Sequence, residues 1–151
     1  MKTQHFAVAI AAAAAMLGTS GLAAQPALRS AWSGAYTSAQ ADRGKSAFEN
    51  SCAKCHGGTL DGNDEIPALK GAHFMADWET QSTADLVMRI HTTMPMDSPG
   101  ALSTQTATDV VAYLLQQNGM PAGSAELNDT TVGQFRIDAE NPGADKAAAA
   151  N

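Results

Sequence analysis

The chain has 151 residues and a formal net charge of −6, with 44 % hydrophobic and only 5 % aromatic residues. An acidic balance of this size argues against nucleic acid and anionic lipid as partners, and suits a partner with a positive docking patch. Only two cysteines are present, Cys52 and Cys55.

The first two dozen residues read as an address label. Met1-Lys2 supplies a positive start, Phe6 to Leu17 is an unbroken run of apolar and small residues, and small residues follow at Gly18, Ser20, Gly21, Ala23 and Ala24. This is the grammar of a secretory signal peptide. Cleavage after Ala23 puts Gly21 and Ala23 at the two small-residue positions, so residues 1–23 are expected to be removed. As a helix, Phe6 to Leu17 reaches roughly 18 Å against roughly 30 Å of hydrocarbon, too short to span a membrane. The reading predicts a periplasmic product with no membrane span in the mature chain. About 125 residues remain, enough for one modest core.

Residues 24–38 are expected to form an N-terminal extension, residues 39–119 the folded domain, and residues 120–151 a C-terminal extension, surface-lying and partly flexible. From Ala39 to Asn50 the pattern is helical, with Ala41, Gly44, Ala47 and Phe48 on one face. Gly44 weakens such a helix by about 1 kcal/mol relative to Ala. Its place on the apolar face therefore predicts close approach by another backbone.

Cys52 and Cys55 follow directly. A disulfide across two intervening residues closes a very small loop and tends to be redox-active rather than structural. Zinc needs a second pair of ligands, and no second Cys or His pair exists at suitable spacing. Free thiols of the thioredoxin type sit at a helix start after a strand, whereas these follow a helical pattern. The next residue, His56, decides among these: Cys-x-x-Cys-His is the attachment sequence of a c-type haem. Two thiols add across two haem vinyl groups as thioethers, and the turn between them brings the next side chain over the metal. The expectation is one covalently bound haem c per chain, tethered by Cys52 and Cys55, with His56 the proximal iron ligand.

Gly57 to Lys70 carries turn signals and no periodicity. Within it, the acidic cluster from Asp61 to Glu65 lacks EF-hand spacing and reads as a solvated turn. An iron-bound histidine ordinarily donates its second ring N–H to a nearby carbonyl, and one near Pro67 is the candidate acceptor. Trp78 is a candidate for the haem edge, or a plain core aromatic. Ser82 to Ile90 reads as a short helix with Ser82 as N-cap and Asp85 completing an acidic capping box. Thr92 to Gly100 reads as a loop. The clearest helix starts at Ser103, with Ala107, Val110, Val111, Leu114 and Leu115 as its apolar stripe, and stops at Asn118-Gly119. Beyond Met120 the signal fades, and Asp145 to Asn151 is an alanine-rich tail.

The sixth iron ligand largely sets function, since methionine opposite histidine raises the potential and fills the site, as suits electron transfer. Met94 and Met96 flank Pro95 in the loop before the last helix; Met94 is the expected ligand and Met96 the alternative. His73 and His91 are further candidates, each with an ordinary surface reading.

With these residues in place, the chain resembles a class I cytochrome c, and the resemblance covers nearly the whole mature chain. It implies an all-α fold in which N- and C-terminal helices cross around one covalently bound haem. Gly44 and Phe48 match the family's contact positions on the first helix, and Val110 and Tyr113 those on the last. A narrower resemblance runs through Gly34 to Thr37, Gln40 to Gly44, Cys52 to Gly57, Thr93-Met94-Pro95, Pro99 to Ser103 and Asp109 to Leu115. These stretches are similar to bacterial cytochromes found as haem subunits or partners of quinoprotein dehydrogenases, a pattern in which the Met before Pro is the axial ligand. The expected function is single-electron transfer between a dehydrogenase, such as a quinoprotein dehydrogenase, and a respiratory acceptor such as a terminal oxidase, with the chain itself not an enzyme. The alternative is a haem enzyme or gas sensor with an exchangeable distal site, for which no distal acid–base pair is evident.

Overall fold

In a computed structural model, residues 27–142 are described; the signal-peptide reading of residues 1–23 and the alanine-rich tail lie outside them. Five helices carry the architecture: α1 (Ser38–Ser51), α2 (Ala53–His56), α3 (Gly71–Trp78), α4 (Thr83–Thr93) and α5 (Thr104–Gln117). No helix among the described residues is long and apolar enough to cross a membrane.

The first helix begins where the Thr37 side chain accepts the Gln40 N–H at 3.2 Å, and it buries Gln40, Ala41, Gly44 and Phe48. The last begins where Ser103 Oγ accepts the Thr106 N–H at 3.0 Å. Every residue from Ala107 to Leu115 is buried, so α5 is enclosed on all sides rather than amphipathic. These two helices cross at Gly44. A Cβ there would lie 1.8 Å from the Asp109 carbonyl oxygen and 3.0 Å from Tyr113 Cβ. Just beyond, the Phe48 and Tyr113 rings pack tilted at 52°, centroids 5.5 Å apart. The glycine is thus the physical condition for the crossing.

Ser82 and Asp85 form a reciprocal capping box at the start of α4, as their spacing predicts. The helix runs on to Thr93, beyond the expected end at Ile90. Thr92 and Thr93 hydroxyls donate to the Met88 and Arg89 carbonyls at 2.7 Å, which keeps two β-branched residues in the last turn. Sequence periodicity does not reveal α3, whose one buried residue is Phe74 and whose N-cap, Lys70, makes no capping bond. Asn118, the stop signal of α5, anchors α3 instead: its carbonyl accepts the Gly71 N–H at 2.9 Å and its amide donates to the Leu69 carbonyl at 3.1 Å.

The expectation that the chain lies on the surface from Met120 onward is corrected for residues 120–138. Met120, Leu127, Phe135 and Ile137 are buried in the core. Two short strands, β1 (Arg29–Ser30) and β2 (Phe135–Arg136), pair in parallel and join both extensions. The side-chain amide of fully buried Gln40 brackets the Leu127 backbone, donating to its carbonyl and accepting its N–H at 2.9 Å each. Arg43 donates to Asp109 and Glu126 together, at 2.9–3.1 Å. Gly34 and Gly123 meet backbone to backbone, since a Cβ on Gly123 would lie 2.2 Å from the Gly34 carbonyl oxygen.

Candidate functional site

The site starts at the end of α1. The Cys52 N–H donates to the Phe48 carbonyl at 2.8 Å, so Cys52 closes α1 and opens the single turn of α2. That turn places Cys52, half-buried, and Cys55, exposed, on the rim of a cavity of about 540 Å³. His56 is buried and lines the same cavity. Its Nδ1–H donates to the Pro67 carbonyl at 2.9 Å, the acceptor expected from the sequence. This bond fixes the ring plane and leaves Nε2 as the acceptor nitrogen. The loop that provides the carbonyl is rigidly built: Asn63 Oδ1 accepts the Glu65 and Ile66 N–H groups, and Leu69 donates back to the Leu60 carbonyl at 2.8 Å.

The remaining walls come from the crossing helices and α4. Phe48, Val110 and Leu114 form one side, Leu86 and Ile90 another, with Trp78 at the end of α3. Val110, matched by resemblance to the Gly44 crossing, lines this cavity, while the atoms nearest a Cβ on Gly44 belong to Asp109 and Tyr113.

Met94 caps the C-terminus of α4, donating its N–H to the Ile90 carbonyl at 3.0 Å, and lines the cavity half-buried. Met96 also reaches the lining but is 73 % exposed, so Met94 offers the more enclosed of the two thioethers. His73 is exposed and outside the lining. His91 donates Nδ1–H to the Leu102 carbonyl at 2.8 Å and bridges α4 to the start of α5, again outside the lining. Of the ligand candidates, then, the fold brings Cys52, Cys55, His56, Met94 and Met96 together and leaves His73 and His91 apart.

Lys54 and Asp97 form a hydrogen-bonded ion pair at the cavity mouth, joining the attachment turn to the loop that carries Met94. Asp97 holds the Lys54 ammonium above its usual range, and Lys54 holds the Asp97 carboxyl below its own. Nothing in the sequence announces this pairing, because Lys54 and Asp97 lie 43 residues apart.

Burial pushes the Cys52 thiol up to about 11. A redox-active dithiol needs the opposite, a thiolate favoured near neutral pH. No strand immediately precedes the cysteines either; a fourteen-residue helix does. The cavity volume falls in the range of cofactor sites, about 300–1,000 Å³. An apolar enclosure, two thiols on its rim and an oriented imidazole beneath fit a covalently tethered porphyrin.

Comparison with known proteins agrees. The family model described as cytochrome c oxidase, cbb3-type, subunit III matches residues 39–114. No curated protein matches the sequence. A chain in the crystal structure of the sulfane dehydrogenase SoxCD from Paracoccus pantotrophus is similar at 23 % identity and a TM-score of 0.53. The match covers 80 % of this chain and 62 % of that one, and at this identity it shows a shared fold. The chain therefore belongs to the cytochrome c family described as cytochrome c oxidase, cbb3-type, subunit III, a class I c-type cytochrome with an all-α fold and a domain built for electron transfer.

Proposed function

We propose that this protein is an exported, periplasmic carrier of single electrons, holding one haem c and passing charge from a dehydrogenase to a respiratory acceptor. The observation that carries the reading is the convergence of Cys52, Cys55, His56 and Met94 on one apolar cavity. When bound, haem supplies a one-electron iron couple. Cys52 and Cys55 would tether it through thioethers. His56, its ring oriented by the Pro67 carbonyl, would offer Nε2 to the iron. Met94 would offer a thioether as the second ligand, with Met96 as the alternative. Phe48, Leu86, Ile90, Val110 and Leu114 exclude water, so little solvent reorganises when charge arrives or leaves.

Exposed Cys55 and the Lys54–Asp97 pair mark the edge where a partner reaches the cofactor. The donor class rests on likeness. The sequence resembles haem subunits and partners of quinoprotein dehydrogenases, and the SoxCD chain that shares the fold is named as part of a sulfane dehydrogenase. Both favour a dehydrogenase as donor. On the acceptor side, a terminal oxidase suits the family description.

Visible spectroscopy of the oxidised protein tests the ligand set. A weak absorption band at the red end, from methionine sulfur to iron, is expected, together with no carbon monoxide binding by the reduced form at neutral pH. Rapid carbon monoxide binding would replace the carrier with the exchangeable-site alternative. Co-purification from native periplasm, followed by reduction with each recovered dehydrogenase, identifies the donor.

A further inference from the structure

The segment between α4 and α5 is fastened at two points. At its neck, His91 donates Nδ1–H to the Leu102 carbonyl at 2.8 Å, closing residues that are 11 apart in sequence. At its tip, Lys54 Nζ donates to Asp97 Oδ2 across the cavity mouth. Between these ties the bonds are local: the Ser98 N–H donates to the Pro95 carbonyl at 2.9 Å, and the Ala101 N–H to the Ser98 carbonyl at 3.2 Å. Among the described residues, no other hydrogen bond or ion pair joins residues 95–101 to the rest of the chain. Met96 to Ala101 are exposed throughout.

Met94 lies between two fixed points of this stretch. Its N–H is held by the Ile90 carbonyl at the end of α4, and Asp97 follows three residues later. Withdrawing the Met94 thioether from the cavity swings the residues after α4 outward, and Asp97 must then leave Lys54. Lys54 does not follow, because it stands on the single turn of α2, where the His56 and Gly57 N–H groups donate to the Cys52 and Ala53 carbonyls at 3.0 and 2.9 Å.

The two side chains are 53 % and 60 % exposed, and pairs of this kind add little to global stability. A local opening is different. It draws on the low-energy end of a protein's motions, where few contacts are broken and one ion pair is a large share of them. We propose, on the haem and Met94 reading above, that Lys54 and Asp97 are positioning residues for Met94. Their ion pair latches the loop across the cavity mouth and sets how often the thioether withdraws and a small external ligand enters.

The probe is imidazole, added as the neutral base to the oxidised, haem-loaded full chain, with loss of the red methionine band as the readout. Asp97→Asn and Lys54→Gln are each expected to speed imidazole entry about two- to fivefold at low salt, the size of effect one exposed pair supports. The double variant should be no faster than either single one, since each change breaks the same contact. Lys54→Arg keeps the charge and should stay near the wild type. Raising the salt concentration should bring the wild type toward the neutral variants and leave those variants where they are. Because Lys54 lies inside the attachment sequence, Asp97→Asn and the salt series carry the test if the Lys54 variants fail to mature. Rates that superimpose on the wild type, or effects that add in the double variant, would overturn the latch. So would a matching fall in the urea midpoint of the whole fold, which would make the pair an ordinary surface tie. A wild-type protein without the red band would instead defeat the Met94 reading, so the two failures are distinguishable.

Discussion

Replacing Gly44 by Ala sets two physical effects against each other. In an unconstrained helix the change stabilises by about 1 kcal/mol. Here the new methyl carbon would sit 1.8 Å from the Asp109 carbonyl oxygen, where ordinary contact begins at 3.4 Å. The neighbour is backbone inside the buried stretch of α5, so α1 and α5 must part by more than an ångström. Overpacking of this kind costs about 1–3 kcal/mol and sometimes more. The opening also loosens the Phe48–Tyr113 contact and the cavity wall at Val110 and Leu114. So deep an overlap belongs at the upper end of that range, which leaves a net loss of about 2 kcal/mol; for a domain near this size that lowers the melting temperature by roughly 4 °C per kcal/mol. Urea titration followed by far-ultraviolet circular dichroism reads the loss. Gly58→Ala is the control, since a Cβ there meets nothing within 4 Å. A Gly44→Ala protein as stable as the wild type would refute the claim that helix crossing, and not chance, places glycine at this position.

Four further outcomes are expected. Asp109→Ala removes the carboxylate shared by Arg43, Gln40 and Gln105 and should cost about 2–3 kcal/mol in urea, near the value for hydrogen bonds to charged groups. Tyr36, buried and donating its hydroxyl to the Met120 carbonyl at 2.6 Å, has its phenol pushed up to about 12 by burial. Its contribution to stability is therefore present below pH 10 and lost as pH rises toward 12, so Tyr36→Phe should flatten that alkaline decline in melting temperature. Arg43 holds the Glu126 carboxyl below its usual range, so this pair supports the fold above the ordinary glutamate range and fades as the pH falls; Glu126→Gln should flatten the acid limb of the same melting curves. Met94→Ala should abolish the red absorption band and admit carbon monoxide, whereas Met96→Ala should leave both unchanged. The reverse result would assign the sixth position to the more exposed sulfur.

Legibility followed the strength of local signals. Side-chain caps at Ser82 and Ser103 sit at the positions their spacing implies, because a cap is decided within four residues. Gly44 was readable because an unfavourable residue on an apolar face needs a tertiary reason, and the Asp109 carbonyl provides one. The His56 to Pro67 bond followed from the chemistry of an imidazole that must be oriented. What escaped was non-local. Helix α3 has one buried residue and no side-chain cap, so nothing in eight residues announces it. Residues 120–138 look like loop because their order comes from partners 49 to 106 residues away, such as Thr83 for Val132, Gln40 for Leu127 and Trp32 for Asp138.

Every role proposed for the cavity depends on covalent haem at Cys52 and Cys55. Intact-mass spectrometry of the exported protein, with haem staining after denaturing electrophoresis, tests it most directly. A polypeptide heavier by one haem and stained after denaturation is expected, with the label on the peptide that contains Cys52 to His56. A mass equal to that of the amino acids alone, with two thiols free to alkylate, would contradict it.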